Sequence, residues 1–554
     1  MSTKKRNDGI ILQAGILATA GIIVRIIGLL YNSPMAAILG DEGFGYYSMA
    51  YNAYVIVLLV SSYSIPSAIS KVIAQKLALK EYKNAHRIFK CALVYVLVVG
   101  GIASLFVFFG AGLLVQVEYA RLPLMVLAPV IFFSGILGVL RGYFQAHKTM
   151  IQTSVSQIVE QILNALFSIL MAYFLVKQFS GLPQSEKLSY GAAGGAVGTG
   201  VGVLAALLFM FGVYCLNKQT IHKRIEKDRS DKEDSYGEIF KMIITVVTPF
   251  ILSTFIYNAN TFINQTIYQN VMMGERGLAD TLVASQMGIA GKAVKVSNIP
   301  IALSSAMAAA LIPGISGDFA KKDLNGVKKK IAKSMKVTML VSIPAAVGIG
   351  VLAKPIMWVL YPQKESIDLA SSLLAVLAIS VVFYGMSTIS NAVLQSVGKL
   401  NSPVINAAIA LVVQTLVLMV MIMFCDETYG PYYYIIAMVC YALLVSVLNA
   451  FSIKKAIKYR QDLDRTFARP FFSAAIMGGV ALGVYHGIYA LLPVNIVALA
   501  VAIGIAVPIY FVLVIRLGAV NEEELRSMPK GYMLIHLAKK MGILKNKKEK
   551  NENK

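Results

Sequence analysis

Apolar runs long enough to cross a lipid bilayer recur along the whole chain, and they constrain its fold more than any other feature. A helix of about 20 residues crosses the hydrocarbon core and satisfies its own backbone hydrogen bonds there. Charged residues make up only 14% of the chain, against about a quarter in soluble domains. The sequence predicts an all-α integral membrane protein with about fourteen transmembrane helices, near residues 9–31, 45–70, 91–115, 124–145, 152–176, 191–216, 238–270, 283–316, 334–353, 369–392, 401–424, 431–453, 470–490 and 495–516.

Lys and Arg are concentrated in every second segment between these runs. Cytoplasmic loops carry such an excess, so the pattern places both termini in the cytoplasm. The same bias explains the formal net charge of +23 without a nucleic-acid partner. The four cysteines are scattered and form no CxxC pair, so no metal site or disulfide framework is indicated.

Two pairs of similar segments indicate an internal repeat. Residues 65–70 (IPSAIS) correspond to 312–316 (IPGIS), and 145–148 (QAHK) correspond to 395–399 (QSVGK). An offset of six spans preserves orientation, so we predict two six-helix lobes related by a parallel pseudo-two-fold axis, followed by two further helices. The predicted divisions are an N-lobe at 1–216, a flexible cytoplasmic linker at 217–237, a C-lobe at 238–453, the last two spans within 454–516 and a basic cytoplasmic tail at 517–554.

Few ionisable residues lie well inside the predicted spans. The cations are Arg25, Lys292 and Lys295, and the acid is Glu160. Lys292 and Lys295 share a helical face, which Asn298 continues. Charges at this depth usually face a cavity or a partner, so the three cations are candidates for an anion-binding cavity. The alternative is that Arg25 pairs with Glu160 and both lysines reach the lipid head groups.

Glu160 shares its helical face with Gln157, Gln161 and Asn164. This face is either a cation or proton site or a hydrogen-bonded seam between helices. The seventh span is rich in amides, and we predict that they line a polar cavity and that the helix beyond them is an exposed extension. These amides are Asn258, Asn260, Asn264 and Gln265.

No motif for catalysis is present. The chain has no paired-carboxylate motif for catalysis, no Ser/His/Asp arrangement and no cluster of metal ligands, so we predict no enzymatic activity and no metal or cofactor.

Four stretches resemble the polysaccharide-export flippases of the MOP superfamily. They are residues 24–28 (VRIIG), 39–47 (LGDEGFGYY), 311–313 (LIP) and 394–399 (LQSVGK). With fourteen spans, the chain is similar to the MurJ/SpoVB-like branch, which includes lipid II flippases of Gram-positive bacteria.

This resemblance implies a bacterial cell-membrane protein that moves an undecaprenyl-diphosphate-linked cell-wall precursor to the outer leaflet. Arg25 and Lys295 match cavity cations of the family, and Lys292 is a neighbour; two further family arginines fall near Tyr31 and Asn52. The implied partners are a lipid-linked anionic oligosaccharide, membrane lipids and cell-wall synthesis proteins, with coupling either to an ion or to the membrane potential. Alternatives are export of another polyprenyl-linked glycan, a MATE-like drug exporter, and a non-transporting membrane scaffold.

Overall fold

The computed structural model is predominantly helical in the residues it describes, which are 2–63, 65–147, 149–226, 228, 233–520, 522, 524, 532 and 535–536. Short π-helical or 3₁₀ segments adjoin several helices, and no β-strand occurs in these ranges. The helices are α1 (Ser2–Leu58), α2 (Ile65–Ala78), α3 (Tyr82–Phe109), α4 (Ala111–Leu114), α5 (Arg121–Ala146), α6 (Ile151–Gln178), α7 (Gln184–Glu226), α8 (Tyr236–Gln269), α9 (Asp280–Ala320), α10 (Leu324–Val351), α11 (Ala353–Leu360), α12 (Ile367–Ser396), α13 (Asn401–Phe424), α14 (Gly430–Ile457), α15 (Arg469–Leu491) and α16 (Asn495–Arg516).

These helices confirm the predicted all-α membrane architecture. In the described residues, 11 helices have the length and hydropathy to cross a membrane. One of them, Thr19–Ala78, contains the second predicted span and residues 19–31 of the first. The two parts of α1 meet at a kink at Gly40, whose φ of 67° is favoured by glycine because it has no Cβ. Helices α8 and α9 occupy the seventh and eighth predicted spans, which accounts for all fourteen.

The chain divides into two compact units. The first contains residues 1–292 and 411–437, and the second contains residues 293–410 and 438–554. The boundaries fall inside α9, α13 and α14 rather than in the predicted linker. The organisation into six, six and two helices remains a prediction.

In the first unit, α6 and α7 pack closely because Gly194, Gly198 and Gly202 recur every four residues on α7. A Cβ at Gly194 would lie 2.5 Å from the carbonyl oxygen of Met171, and one at Gly202 would lie 2.5 Å from that of Glu160. Between them, the Ser168 hydroxyl donates to the Gly195 carbonyl at 2.8 Å. Small residues at this spacing let membrane helices approach closely.

The predicted linker is more ordered than expected where the structure describes it. Helix α7 continues through it to Glu226. The Asp234 carboxylate lies 2.5 Å from the Lys76 ammonium, and Glu233 lies 2.6 Å from the Arg87 guanidinium. These ion pairs attach residues 233 and 234 to α2 and α3, which corrects the prediction of a flexible tether for this part. Residues 227 and 229–232 lie outside the described ranges, as does most of the predicted basic tail.

The second unit has an apolar core between α10, α12, α15 and α16, which includes Met339, Val393 and Ala502. Asparagine side chains also join helices of this unit through hydrogen bonds. The Asn406 amide donates to Asn449 at 2.8 Å, and Asn449 donates to Asn391 at 2.7 Å. These bonds join α13, α14 and α12, as polar contacts do between other membrane helices.

Candidate functional site

Two glycines bring the first unit's part of α9 into backbone contact with α1. A Cβ on Gly45 would overlap the carbonyl oxygen of Ala284, and a Cβ on Gly288 would overlap that of Asp41. Any larger residue at either position would force the helices apart. The contact places Asp41 beside Lys292, one helical turn beyond Gly288.

Lys292 is enclosed in this contact and paired with an acid. Its ammonium forms an ion pair with the Asp41 carboxylate. The Lys292 side chain is 1% exposed and that of Asp41 is 17% exposed. The ammonium also lies 5.9 Å from the centroid of the Phe44 ring, within the range of a cation–π contact. Lys292, which was predicted to bind an anionic cargo, therefore has an internal counter-ion in Asp41, a residue between the predicted spans 9–31 and 45–70.

Amides of α8 form a second buried contact with α1. The Asn52 amide donates to the Gln265 side-chain oxygen at 2.8 Å, and the Gln265 amide donates to the Met49 carbonyl at 3.1 Å. Asn264 accepts a bond of 2.8 Å from Gln414 on α13. Asn264 and Gln265 are fully buried. Both amides bridge helices in this structure, and their predicted role in the wall of a polar cavity remains a prediction.

The remaining amides of α8 differ in exposure. Asn258 is exposed and donates to the Thr254 carbonyl at 2.7 Å, whereas Asn260 is buried. Gln269 is also fully buried, and its side-chain oxygen accepts a bond of 3.2 Å from the backbone of Gln116. The prediction of an exposed extension beyond Gln265 is therefore wrong at Gln269.

Glu160 is paired with Arg141 of α5. Their closest atoms are 2.6 Å apart, and Arg141 also donates to the Ser156 hydroxyl at 2.9 Å. Arg25, the predicted alternative partner, is exposed on α1. Sequence reasoning missed Arg141 because it lies near the end of a span. The sequence did contain a signal for such a partner: Ser156 and Glu160 lie one turn apart on α6, so one guanidinium can donate to both.

Lys295 and Asn298 belong to the part of α9 that lies in the second unit. Lys295 is half-buried and Asn298 is exposed. A joint anion cavity with Arg25 and Lys292 remains a prediction.

The second unit contains an apolar groove that sequence reasoning missed. It has a volume of about 850 Å³ and runs between α10, α15 and α16. Its lining includes Leu340, Pro344, Ile356, Ala481 and Phe511. Hydropathy identified these helices, but it does not show that their packing leaves a groove.

Two family profiles match the sequence. That of the family described as "Polysaccharide biosynthesis protein" matches residues 12–319. That of the MatE family matches residues 258–421.

Relatives of similar length occur in Bacillus subtilis (strain 168). Stage V sporulation protein B is 27% identical over 93% of this chain and 96% of its own. Lipid II flippase MurJ is 22% identical over 72% of this chain and 75% of its own. Among solved structures, lipid II flippase MurJ in an inward closed conformation superposes with a TM-score of 0.64 and 16% identity, over 90% of this chain and 97% of that one. This last similarity concerns the fold.

Proposed function

Because the chain belongs to the polysaccharide biosynthesis protein family within the MOP superfamily, we propose that it translocates lipid II, an undecaprenyl-diphosphate-linked cell-wall precursor. The cargo would move from the inner to the outer leaflet by alternating access, in a bacterial cell membrane with both protein termini in the cytoplasm. We assign the protein no enzymatic step. The groove of α10, α15 and α16 is the observation that carries the lipid-linked class, since a long isoprenoid chain matches its apolar lining.

The anionic part of the cargo would bind the cations of α1 and α9. In this proposal Lys292 exchanges its counter-ion: the cargo diphosphate replaces the Asp41 carboxylate, so a buried ammonium is never left unpaired. Arg25 and Lys295 supply further charge. Arg suits phosphate because its planar guanidinium donates two parallel hydrogen bonds.

The energy source is either an ion or the membrane potential. The potential supplies about 2.3 kcal/mol per elementary charge per 100 mV, so two or three moving cations would be sufficient to bias a conformational equilibrium. Dependence of transport on potential at constant ion gradients would favour the second source.

Complementation of a lipid II flippase depletion strain without redundant flippases tests the proposal. We expect the wild-type chain to restore growth and outer-leaflet lipid II. Arg25→Ala and Lys295→Ala should fail at equal expression, whereas Lys354→Ala should complement, because its ion pair with Asp368 is largely exposed. Normal complementation by both cavity variants would reject the cationic site. Failure of the expressed wild-type chain would reject lipid II as cargo.

Export of another polyprenyl-linked glycan is the second candidate. It is favoured by the sporulation relative, which matches more of the chain and at higher identity than the lipid II flippase relative does. Deletion of the gene should then cause a different lipid-linked glycan to accumulate, as measured by mass spectrometry of membrane lipids, while lipid II stays constant.

A further inference from the structure

The ion pair of Arg141 and Glu160 joins two residues at different depths in the predicted membrane. Arg141 lies four residues before the end of the span at 124–145, which is about 6 Å of helix, whereas Glu160 lies eight residues into the span at 152–176, about 12 Å. If the pair separates, the long arginine side chain can reach water and lipid head groups. The shorter and deeper carboxylate has no comparable route to water.

The second predicted repeat carries uncharged side chains at the matching positions. Asn391 and Asn406 stand 250 residues after Arg141 and Ser156, and the same offset aligns the segments QAHK and QSVGK. The structure places the first member of each pair on α5 or α12 and the second on α6 or α13. The charged cluster therefore occurs in one repeat only.

In the second repeat, neutral amides join the helices at these positions. The Asn406 amide donates to Asn449 at 2.8 Å, and the Asn449 amide donates to Asn391 at 2.7 Å. The position that corresponds to Glu160 is occupied by Ala410, which is buried. Since amides are sufficient to hold such helices together, packing does not account for a charged pair in the first repeat.

Few other ionisable groups act on Glu160. Its Oε2 atom accepts the bond of 2.6 Å from Arg141, and within the described residues Oε1 accepts none. Tyr54 of α1 lies within electrostatic range of the carboxylate. Helix α7 contacts the Glu160 backbone at Gly202, and it has no ionisable side chain across residues 191–213. The guanidinium is therefore the charged partner that determines the state of this carboxylate.

A proton suits this carboxylate better than a metal ion does. A divalent metal ion takes several oxygen ligands. The Arg141 guanidinium already occupies one carboxylate oxygen of Glu160, and it repels any cation that stays separate from the acid. A proton needs a single lone pair and becomes part of the carboxyl group.

We propose that Glu160 is a proton-binding site whose occupancy alternates with its contact to Arg141. When α5 and α6 separate at this point, the arginine turns to the head groups, and the carboxylate that loses its counter-ion binds a proton from water. The proton forms an O–H bond on Glu160 and is released when the ion pair forms again. The inference rests on the proposed function for what the proton drives, which is movement of the lipid-linked cargo.

Infrared difference spectra of the purified full-length protein in nanodiscs test proton binding without transport. Lowering the pH from about 8 to about 6, where exposed carboxylates stay ionised, should produce the C=O band of a protonated carboxyl group in wild type. Glu160→Gln should lack this band. Glu427→Gln is the matched control and should keep it, because Glu427 also pairs with an arginine but its side chain is 49% exposed.

Two further variants separate proton binding from folding. Arg141→Gln combined with Glu160→Gln places two neutral amides at the contact, as in the second repeat. This double variant should unfold at the same temperature as wild type and should also lack the band. Glu160→Asp keeps a carboxylate and should retain the band. Absence of the band in wild type, or its presence in Glu160→Gln, would overturn the inference.

Transport measures whether the proton drives the cargo. Proteoliposomes contain fluorescent lipid II, the membrane potential is clamped at zero with potassium and valinomycin, and a pH difference of one unit is imposed. A cycle that moves one proton per lipid should change the ratio of lipid II between the leaflets about tenfold, and the double variant should not respond. Wild-type transport that ignores the pH difference would overturn the inference. A protein that shows the Glu160 band but moves no lipid II refutes the proposed function alone.

Discussion

Asp41→Asn is expected to destabilise the contact between α1 and α9 while preserving the shape of the side chain. The Lys292 side chain is 1% exposed, so the ammonium that remains has almost no water to replace its partner. Breaking a buried ion pair in this way costs about 3–5 kcal/mol. Since each 1.4 kcal/mol is a factor of about ten, the equilibrium for opening this contact should shift by about a hundredfold to a few thousandfold.

The free energy of unfolding in a sodium dodecyl sulfate titration measures the loss. Asp368→Asn is the matched control, because its ion pair with Lys354 has side chains 80% and 63% exposed, and its loss should cost about 0–1 kcal/mol. Asp41→Asn combined with Lys292→Met should recover most of the stability, because no unpaired charge remains. If Asp41→Asn costs no more than Asp368→Asn, then the Lys292 ammonium is compensated by other groups, and the reasoning from burial is wrong.

Arg141→Ala should lower the thermal midpoint more than Glu160→Gln, because it removes the hydrogen bonds to both Ser156 and Glu160, whereas a glutamine at 160 can still accept from Arg141. Loss of transport in Glu160→Gln at unchanged stability would instead indicate a coupling site. Asp234→Asn should release the linker and speed its cleavage by trypsin, and raised salt should do the same to wild type; an unchanged cleavage rate would show that the ion pair does not hold the segment. Burial, and the nearby Arg224 cation, lower the pKa of His147 below its usual 6.5. As the pH falls, His147 therefore binds a proton at a higher pH in the unfolded chain than in the folded one, and the stability that this difference contributes above about pH 6.5 is lost below it. The thermal midpoint of the wild type should then drop more than that of His147→Gln between about pH 7.5 and 5.5.

The helical architecture and the number of spans could be predicted from the sequence because both depend on local properties. A transmembrane helix satisfies its backbone within one segment, so its hydropathy suffices to identify it. The kink at Gly40 was less predictable, since a glycine permits a φ of 67° without requiring it. Unusual charges were also visible: Lys292 and Glu160 stand out because charge at bilayer depth is costly.

The partners of these charges were decided only by the tertiary structure. Lys292 is 251 residues from Asp41, and Asn52 is 213 residues from Gln265. No local pattern encodes which helical faces meet, because lipid is as apolar as a helix surface and selects no face. Close packing at Gly45 and Gly288 places Asp41 against Lys292, and the packing of α10 with α15 and α16 leaves a groove. Composition and periodicity determined that this chain crosses the membrane with buried charge, whereas contacts between distant helices decided which anion compensates each cation.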